Sequence, residues 1–412
     1  MSDIDHTVVD RFLRYVRIDT QAQESSESCP STDKQKDLGR LLHQELTDLG
    51  LEAELDEHGY VYATLPSNSD KPVPTIALLA HQDTSPEAPG ANVNPIIHDY
   101  QGGDIALPGA ADVVIGAADN PHLADLVGNQ VITSDGTTLL GADDKAGIAE
   151  IMDAVTHLVR NPAIKHGPVR VVFTVDEEIG RGVDKLDLDK VGAEAAYTFD
   201  GTTAGQMETE TFSADLAVVT CHGVNVHPGF ALGKMTNAVK LAAAFLERLP
   251  KDRLSPETTA DMVGFVHPYV IEGGVDKATI KVLLRSFDTA ELREQEAYLR
   301  GLADEAAAGF PDGKIEIQVV EQYRNMRDAL EQRPEVGELA QEAIRRTGLT
   351  PVAASIRGGT DGSRLSNMGL PTPNIFAGGM NFHSVREYVG IETMKKAVEV
   401  GVELIKLWEE RA

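Results

Sequence analysis

Apolar runs and amphipathic stretches alternate through the first half of the chain. Leucines recur at helical spacing after Gln35 until Gly50 ends the pattern, and Thr32 and Gln35 have the spacing of a capping box. A second helical stripe consists of Ile148, Ile151, Met152, Val155 and Val159. Short apolar runs predict strands at 60–65, 75–80, 169–175 and 195–199. Strands that alternate with helices in this way indicate an α/β sheet covered on both faces.

The pattern changes near residue 212. A strand, a helix over 235–248, two strands, a helix over about 289–308 and a last strand follow one another, which is the order β-α-β-β-α-β. The α/β character then returns, with helices predicted at 335–347 and 391–409. We therefore expect a larger α/β domain formed by 1–211 and 323–412, interrupted by an inserted ferredoxin-like α+β domain at 212–322.

Composition narrows the class of protein. A chain of 412 residues is long enough for two domains. Its net charge of −28 disfavours binding to nucleic acid or to an anionic membrane surface. Two cysteines, an acidic N-terminus and the lack of a long apolar run predict a cytoplasmic protein without a membrane span.

Metal-binding side chains follow several of the predicted strands and turns. His81 and Asp83 follow one strand, Glu177 and Glu178 follow a second, and Asp200 follows a third. Two further candidates lie in glycine-rich turns, namely Asp143 in "GADDK" and His383 in "GMNFHS". Because strand ends form the ligand crevice of an open α/β sheet, we expect these side chains to converge.

A convergent set of this kind needs positive charge. Several carboxylates in one cleft repel one another unless cations lie between them. Mixed imidazole and carboxylate ligands suit zinc, with cobalt or manganese as alternatives. Adjacent residues of an extended chain point in different directions, so one of Glu177 and Glu178 can bind metal while the other accepts a proton from water.

Seven segments together resemble the tripeptide aminopeptidases among the co-catalytic dinuclear zinc exopeptidases, a family related to carboxypeptidase G2. They are "LLAHQDTSP", "GADDKAGIAEI", "TVDEEIGRG", "YTFDG", "VHPG", "YRNM" and "IRGGTDGSRLSNMGLPTPNIFAGGMNFHS". The resemblance covers nearly the whole chain. It implies a mixed-sheet catalytic domain and an inserted domain that serves as a lid and as a dimerisation surface.

The resemblance also implies a role for each motif residue. Glu177 matches the general base, and Asp83 matches the carboxylate that orients a histidine ligand and assists catalysis. Asp143 matches the ligand that bridges the two metal ions, and the peptide bond between Asp143 and Asp144 is expected to be cis. The implied metal ligands are His81, Asp143, Glu178, Asp200 and His383.

Four residues match substrate-binding positions of the family. His227 in "VHPG" would polarise the scissile carbonyl, from its own or a partner subunit. Arg285 and Arg357 would hold a substrate carboxylate, although a surface salt bridge is the alternative for each. Asn381 would add a hydrogen bond to the peptide. Phe382, Ser384 and Arg324 depart from the family pattern, which affects the substrate rim rather than the metal site.

These expectations define a function. The resemblance predicts a homodimeric metallo-aminopeptidase with two Zn²⁺ per subunit that removes the N-terminal residue of a tripeptide by a zinc-activated water. A dipeptidase or an N-acyl amino acid amidohydrolase on the same scaffold is the alternative. A metal-dependent binding protein without catalysis is disfavoured, because every expected position is filled.

Overall fold

The structure is a computed structural model that describes residues 4–412, which form two compact units. The larger unit comprises the chain up to Thr209 together with Asp328–Ala354 and Thr360–Ala412. The smaller unit comprises Glu210–Arg327 and the short segment Ser355–Gly359. The sequence analysis placed the insertion at 212–322 and assigned 355–359 to the larger domain.

Helices flank the strands throughout the described chain. Those of the larger unit are α1 (Val8–Tyr15), α2 (Gln35–Asp48), α3 (Ala142–Arg160), α4 (Leu188–Val191), α8 (Pro334–Arg346), α9 (Asp361–Asn367) and α10 (Ile391–Arg411), together with all of α7 (Arg327–Gln332) except its first residue. Those of the smaller unit are α5 (Ala238–Leu246) and α6 (Thr289–Ala307).

The largest sheet has eight strands. In spatial order its strands are β1 (Glu52–Leu55), β2 (Val61–Leu65), β8 (Val169–Thr174), β3 (Ile76–His81), β9 (Ala195–Gly201), β16 (Asn374–Phe376), β10 (Gln206–Thr211) and β15 (Val352–Ile356). The central strands β8, β3, β9 and β16 are parallel, whereas β1 and β2 are antiparallel to their neighbours. The sheet is therefore mixed, and the predicted α/β class is confirmed.

Two small sheets complete the larger unit. One contains β17 (Gly379–Met380), β18 (Tyr388–Gly390), β7 (Gln130–Thr133) and β4 (Ile96–Asp99), in that order. The other pairs β5 (Ile105–Ala106) with β6 (Val114–Ile115). Strand β18 fixes the position of the C-terminal segment that carries His383, because it pairs with β7 from Tyr388 to Gly390.

The smaller unit has one antiparallel sheet. Its strands lie in the order β12 (Phe265–Gly273), β13 (Lys277–Ser286), β11 (Ser213–His222) and β14 (Lys314–Tyr323). With α5 and α6 the chain order is β-α-β-β-α-β, as the sequence pattern predicted. Residues of the sheet and of both helices form one buried apolar cluster that includes Val219, Phe245 and Leu299.

The predicted capping box at Thr32 is wrong. Helix α2 begins after Lys34 without a side-chain cap. The Thr32 hydroxyl donates instead to the carbonyl of Gln21, and the Gln35 amide donates to Asp176 at 2.7 Å. A tertiary contact has taken the place of the local one. Within residues 4–412, none of the helices is long and apolar enough to cross a membrane.

Candidate metal centre

Three parallel strands deliver side chains to one rim of the central sheet. His81 is the last residue of β3 and pairs with Thr174, the last residue of β8. After β8 the chain turns at Asp176, whose φ is 58°, and enters a short 3₁₀ turn that begins with Glu177 and Glu178. Asp200 lies near the end of β9. Parallel strands end at the same edge, so these residues meet although they are far apart in sequence.

Asp143 lies between two histidines at the start of α3. Its Oδ1 is 2.8 Å from Nε2 of His81, and its Oδ2 is 3.4 Å from Nε2 of His383. The backbone leaves helical geometry at Asp143 and Asp144, and the peptide bond between them is cis, as the resemblance implied. Each oxygen of this carboxylate faces a different imidazole, which is the arrangement expected of a ligand that bridges two metal ions.

Glu178 and Asp200 lie on opposite sides of this bridge. Oε2 of Glu178 is 2.8 Å from Nε2 of His383, and Oδ1 of Asp200 is 3.8 Å from Nε2 of His81. Among the described residues, His81, Asp143 and Glu178 form one group whose donor atoms lie within 4.8 Å of one another, and His81, Asp144 and Asp200 form a second. The five predicted ligands therefore lie close together.

The histidines have the electrostatic environment of metal ligands. Burial alone would lower the pKa of His81, but the carboxylates of Asp143 and Asp83 outweigh it and raise that pKa well above 6.5. Hydrogen bonds to Asp143 and Glu178 raise the pKa of His383 to about 11. A positive charge at each imidazole is therefore favoured by the facing carboxylates, and either a proton or a metal ion can supply it.

The carboxylates support the same conclusion. Burial, reinforced by Asp143, raises the pKa of Glu178 to about 7 and that of Asp200 well above its usual range. Oε1 of Glu178 is buried and has no hydrogen-bond partner among the described residues. Buried acids that resist ionisation and an unsatisfied carboxylate oxygen fit divalent cations, because cations would stabilise the charged forms. The donor set therefore fits two metal ions.

Asp83 connects the histidine to the glutamate pair. Nδ1 of His81 lies 3.0 Å from the backbone carbonyl of Asp83 and 3.4 Å from its Oδ1. The two oxygens of Asp83 also accept hydrogen bonds from the backbone N–H groups of Glu177 and Glu178, at 3.0 and 3.1 Å. A carbonyl acceptor at Nδ1 leaves Nε2 of His81 free to bind metal.

Glu177 lines a small cavity next to His81 and Asp200. The cavity has a volume of about 10 Å³, and its wall includes Glu177, His81, Asp200, Thr174 and Asp361. This space is about that of one water molecule. Burial, together with the neighbouring acids, raises the pKa of Glu177 well above its usual value. A raised pKa suits a general base, because the same group must accept a proton and return it.

Three further buried acids lie next to this centre, and the sequence analysis assigned no role to any of them. Asp144 accepts a hydrogen bond from the backbone N–H of His81, and Asp361 accepts one from the hydroxyl of Thr174. Glu387 accepts three backbone hydrogen bonds from the segment that leads into Asp143. The "DD" pair marked Asp144 as a side chain able to bind metal but gave it no role, Asp361 lies within the "IRGGTDG" motif without an assigned role, and no motif contained Glu387.

The smaller unit contains three of the four predicted substrate-binding residues. His227 is exposed, and its Nδ1 accepts a hydrogen bond from the backbone N–H of Gly229 at 3.1 Å. This contact assigns the proton of the neutral ring to Nε2. His227 can therefore donate a hydrogen bond through Nε2.

Both predicted substrate arginines contact aromatic rings. The guanidinium of Arg285 lies over Tyr323 and donates to the carbonyl of Asp215 at 3.3 Å. Arg357 lies over Phe212 and donates to backbone carbonyls of residues 259–263. Neither forms an ion pair within the described part of the chain, so the surface salt bridge weighed for them is not observed.

Asn381 has a structural contact in the larger unit. Its side-chain amide donates to the carbonyl of Arg386 at 3.1 Å. Asn381 and His383 both have positive φ, at 57° and 61°. The side-chain NH₂ group therefore helps to fix the loop that carries His383. The side-chain oxygen of Asn381 could accept a hydrogen bond from a substrate.

Comparison with known proteins agrees with this geometry. Residues 131–407 match peptidase family M20/M25/M40. The chain is 49% identical over 406 residues to peptidase T of Geobacillus thermodenitrificans (strain NG80-2), a match that covers 98% of both chains. It is also 49% identical over 402 residues to peptidase T of Vibrio parahaemolyticus, covering 97% of this chain and 98% of that one. The crystal structure of aminopeptidase PepT from Bacillus cereus ATCC 10987 superposes with a TM-score of 0.76 at 26% identity, covering 98% of each chain.

Proposed function

The chain belongs to peptidase family M20/M25/M40, and on that basis we propose that it is a metallo-aminopeptidase that removes the N-terminal residue of tripeptides. The observation that carries the proposal is the contact of Asp143 with both His81 and His383, with Glu177 beside them. The similarity to proteins named peptidase T supplies the substrate class.

Two zinc ions are the proposed cofactors, with cobalt or manganese able to replace them. Asp143 would bridge them, His81 and Asp200 would hold the first, and Glu178 and His383 would hold the second. The chemistry that zinc supplies in such a site is Lewis-acid activation of water and of the peptide carbonyl at neutral pH.

Protein side chains then carry the proton and stabilise developing charge. Glu177 accepts a proton from the attacking water and donates it to the leaving amine. His227, from its own or a partner subunit, would donate a hydrogen bond through Nε2–H to the carbonyl oxygen as that oxygen becomes negative. Asp83 holds the ring of His81 and the backbone of Glu177 in place through hydrogen bonds. A general base of this kind contributes about 10²–10⁴-fold in rate.

Arg285 and Arg357 are the proposed partners of the substrate's C-terminal carboxylate. Each guanidinium has carbonyl and aromatic contacts in the smaller unit, and neither forms an ion pair with an acid among residues 4–412. A planar guanidinium binds a carboxylate with two parallel hydrogen bonds. In a chain of net charge −28, such cations would favour short peptides whose carboxylate comes within their reach.

A peptide-length panel combined with metal analysis tests the proposal. The purified protein, loaded with Zn²⁺, is assayed on dialanine, trialanine, tetraalanine and N-acetyl-alanine, and its metal content is measured on the same sample. We expect two metal ions per chain and the highest kcat/KM on the tripeptide. Faster cleavage of N-acetyl-alanine or of the dipeptide would instead identify an amidohydrolase or a dipeptidase.

A second assay isolates the carboxylate clamp. Arg285→Met and Arg357→Met are compared with the wild type on trialanine and on its C-terminal amide. Loss of a carboxylate contact should raise KM for the free acid but leave KM for the amide nearly unchanged. An equal change for both peptides would remove these arginines from C-terminal recognition.

A homodimer formed through the smaller unit and a cytoplasmic location complete the proposal. Tyr269 and Ile271 on the edge strand β12 are 45% and 54% exposed, which supports an interface there, because exposed apolar edge strands favour pairing. Sedimentation analysis of the wild type and of Ile271→Lys tests the dimer. A wild-type protein that stays monomeric at assay concentration would overturn it.

A further inference from the structure

Glu387 binds the backbone that leads into Asp143. Its Oε2 accepts hydrogen bonds from the N–H groups of Leu140 and Gly141, both at 2.8 Å, and its Oε1 accepts one from the N–H of Asp143 at 3.0 Å. Glu387 is only 1% exposed. Both carboxylate oxygens are directed to amides, so Glu387 has no role as a metal ligand in this geometry.

The backbone that Glu387 contacts lies before the regular part of α3. Asp143 and Asp144 have non-helical backbone angles, and the regular helix is capped locally, because Oδ1 of Asp144 accepts the N–H of Gly147 at 3.2 Å. The amides of Leu140, Gly141 and Asp143 precede this cap and need acceptors from elsewhere in the fold. Glu387 supplies them, although it lies 244 residues after Asp143 in the chain.

The segment that carries Glu387 also carries His383. His383 approaches the Oδ2 atom of Asp143 with its Nε2 at 3.4 Å, while Glu387 holds the backbone N–H of the same residue. The backbone N–H of Glu387 donates to the carbonyl of Ser384, which closes the intervening turn. One short segment therefore contacts Asp143 at both its carboxylate and its amide.

We propose that Glu387 is a positioning residue that sets the distance between Asp143 and His383, and thereby the affinity of the metal site that these two residues share. The inference rests on the proposed metallopeptidase function. Because β18 begins at the next residue and pairs with β7, the position of Glu387 is fixed by the sheet. Through this carboxylate the sheet holds the bridging aspartate against the distal histidine.

A purely structural role, in which Glu387 only satisfies buried backbone amides, is the competing explanation, and it makes a different prediction. Such an acceptor stabilises the folded protein whether or not metal is bound. A positioning residue changes metal binding itself. Residues that orient metal ligands without touching the metal typically change affinity about 10–100-fold when replaced. Metal affinity and stability of the metal-free protein must therefore be measured separately.

Glu387→Gln is the principal test. A glutamine has one acceptor oxygen, so its NH₂ group faces either the amide of Asp143 or the amides of Leu140 and Gly141. We expect the affinity for Zn²⁺, measured by competition with a chromogenic chelator, to fall about 10–100-fold. The visible absorption spectrum of the Co²⁺-loaded protein should change as well, since the ligand geometry changes. On trialanine, kcat should fall while KM changes little.

Asp153→Asn is the matched control. Asp153 is also a buried carboxylate on α3, and it accepts hydrogen bonds from the N–H and the hydroxyl of Thr7, at 2.9 and 2.7 Å. Its replacement should lower the stability of the metal-free protein to urea but leave Zn²⁺ affinity and the Co²⁺ spectrum at wild-type values. A loss of metal affinity in Glu387→Gln but not in Asp153→Asn supports the proposal.

Wild-type metal affinity and an unchanged Co²⁺ spectrum in Glu387→Gln would overturn it, whatever happens to stability. If Glu387→Gln does not fold, Glu387→Asp is measured, since it keeps the charge but is shorter by one methylene. Weaker Zn²⁺ binding by Glu387→Asp supports the proposal, and wild-type binding overturns it. A wild-type protein that binds no divalent ion would instead contradict the proposed function itself.

Discussion

The carboxylate of Asp83 accepts a hydrogen bond from the backbone N–H of Glu177 at 3.0 Å, across 94 residues of sequence. The same side chain accepts the N–H of Glu178 and lies next to Nδ1 of His81. Asp83 therefore does more than orient a histidine. It also holds the backbone at Glu177 and Glu178, so the positions of the proposed base and of a proposed ligand both depend on one buried acid.

Replacement of Asp83 by asparagine should impair metal binding and turnover together. An amide keeps one acceptor oxygen, so one of the two backbone N–H groups then faces an NH₂ donor. We expect Zn²⁺ affinity to fall about 10–100-fold, with a decrease in kcat, as measured by chelator competition and steady-state assay. Asp56→Asn is the control, because Oδ1 of Asp56 also accepts two backbone N–H groups, from His58 and Tyr60. Unchanged metal affinity in Asp83→Asn would contradict this role.

Replacements of Glu177 and of Glu178 should have different effects, because Glu177 is the proposed general base and Glu178 is a proposed metal ligand. Glu177→Gln cannot accept a proton, so turnover should fall about 10²–10⁴-fold while two metal ions stay bound. Glu178→Gln should lose metal, because the amide replaces a charged ligand next to His383. Metal analysis and kcat measured on the same samples distinguish the two cases. Full activity of Glu177→Gln would remove it from the mechanism.

Part of the centre could be predicted from sequence because three of its candidate ligands, His81, Glu178 and Asp200, lie at or just after strand ends. Apolar runs that end at His81 and before Glu177 predicted strand ends, and the structure pairs those strands in parallel. The comparisons confirm the resemblance to the dinuclear exopeptidase family. The roles of individual residues stay predictions that the variants above test.

The supporting contacts could not be predicted in the same way. The resemblance marked Asp83 but not its contacts with Glu177 and Glu178, and it did not mark Glu387. Both acids bind backbone N–H groups, and nearly every residue offers one, so the partner leaves no mark in the sequence. The capping box at Thr32 and Gln35 failed for a related reason. Gln35 has the spacing of a local cap, but its amide binds the buried carboxylate of Asp176, which only the tertiary fold brings near.

Glu208 should make the stability of the protein depend on pH. Burial raises the pKa of Glu208 from 4.5 to about 7, and its Oε2 has no hydrogen-bond partner among the described residues. Between these two pH values the unfolded chain loses a proton that the folded chain retains, so stability should fall as pH rises. A shift of this size corresponds to about 3 kcal/mol.

Glu208→Gln is the variant that measures this effect. The free energy of unfolding of the variant and the wild type, determined from pH 4.5 to 8, should diverge as pH rises, with the glutamine variant the more stable above pH 7. The difference between the two proteins removes the contribution of the metal ligands, which titrate in both. Parallel curves would show that Glu208 is not responsible.

Gly147 should be required where α3 crosses β9. A Cβ at this position would lie 1.9 Å from the carbonyl oxygen of Phe199 and 2.5 Å from Oδ1 of Asp144. Gly147→Ala must therefore push the helix away from the strand that carries Asp200, which should cost about 1–3 kcal/mol of stability and weaken Zn²⁺ binding.

Gly337→Ala in α8 is the matched control, because a Cβ there would meet no atom within 4 Å. Alanine there should stabilise the protein by about 0.5–1 kcal/mol, because it favours the helix, and should leave metal binding unchanged. Urea unfolding and chelator competition on both variants give these values, and similar effects at the two glycines would contradict the steric explanation.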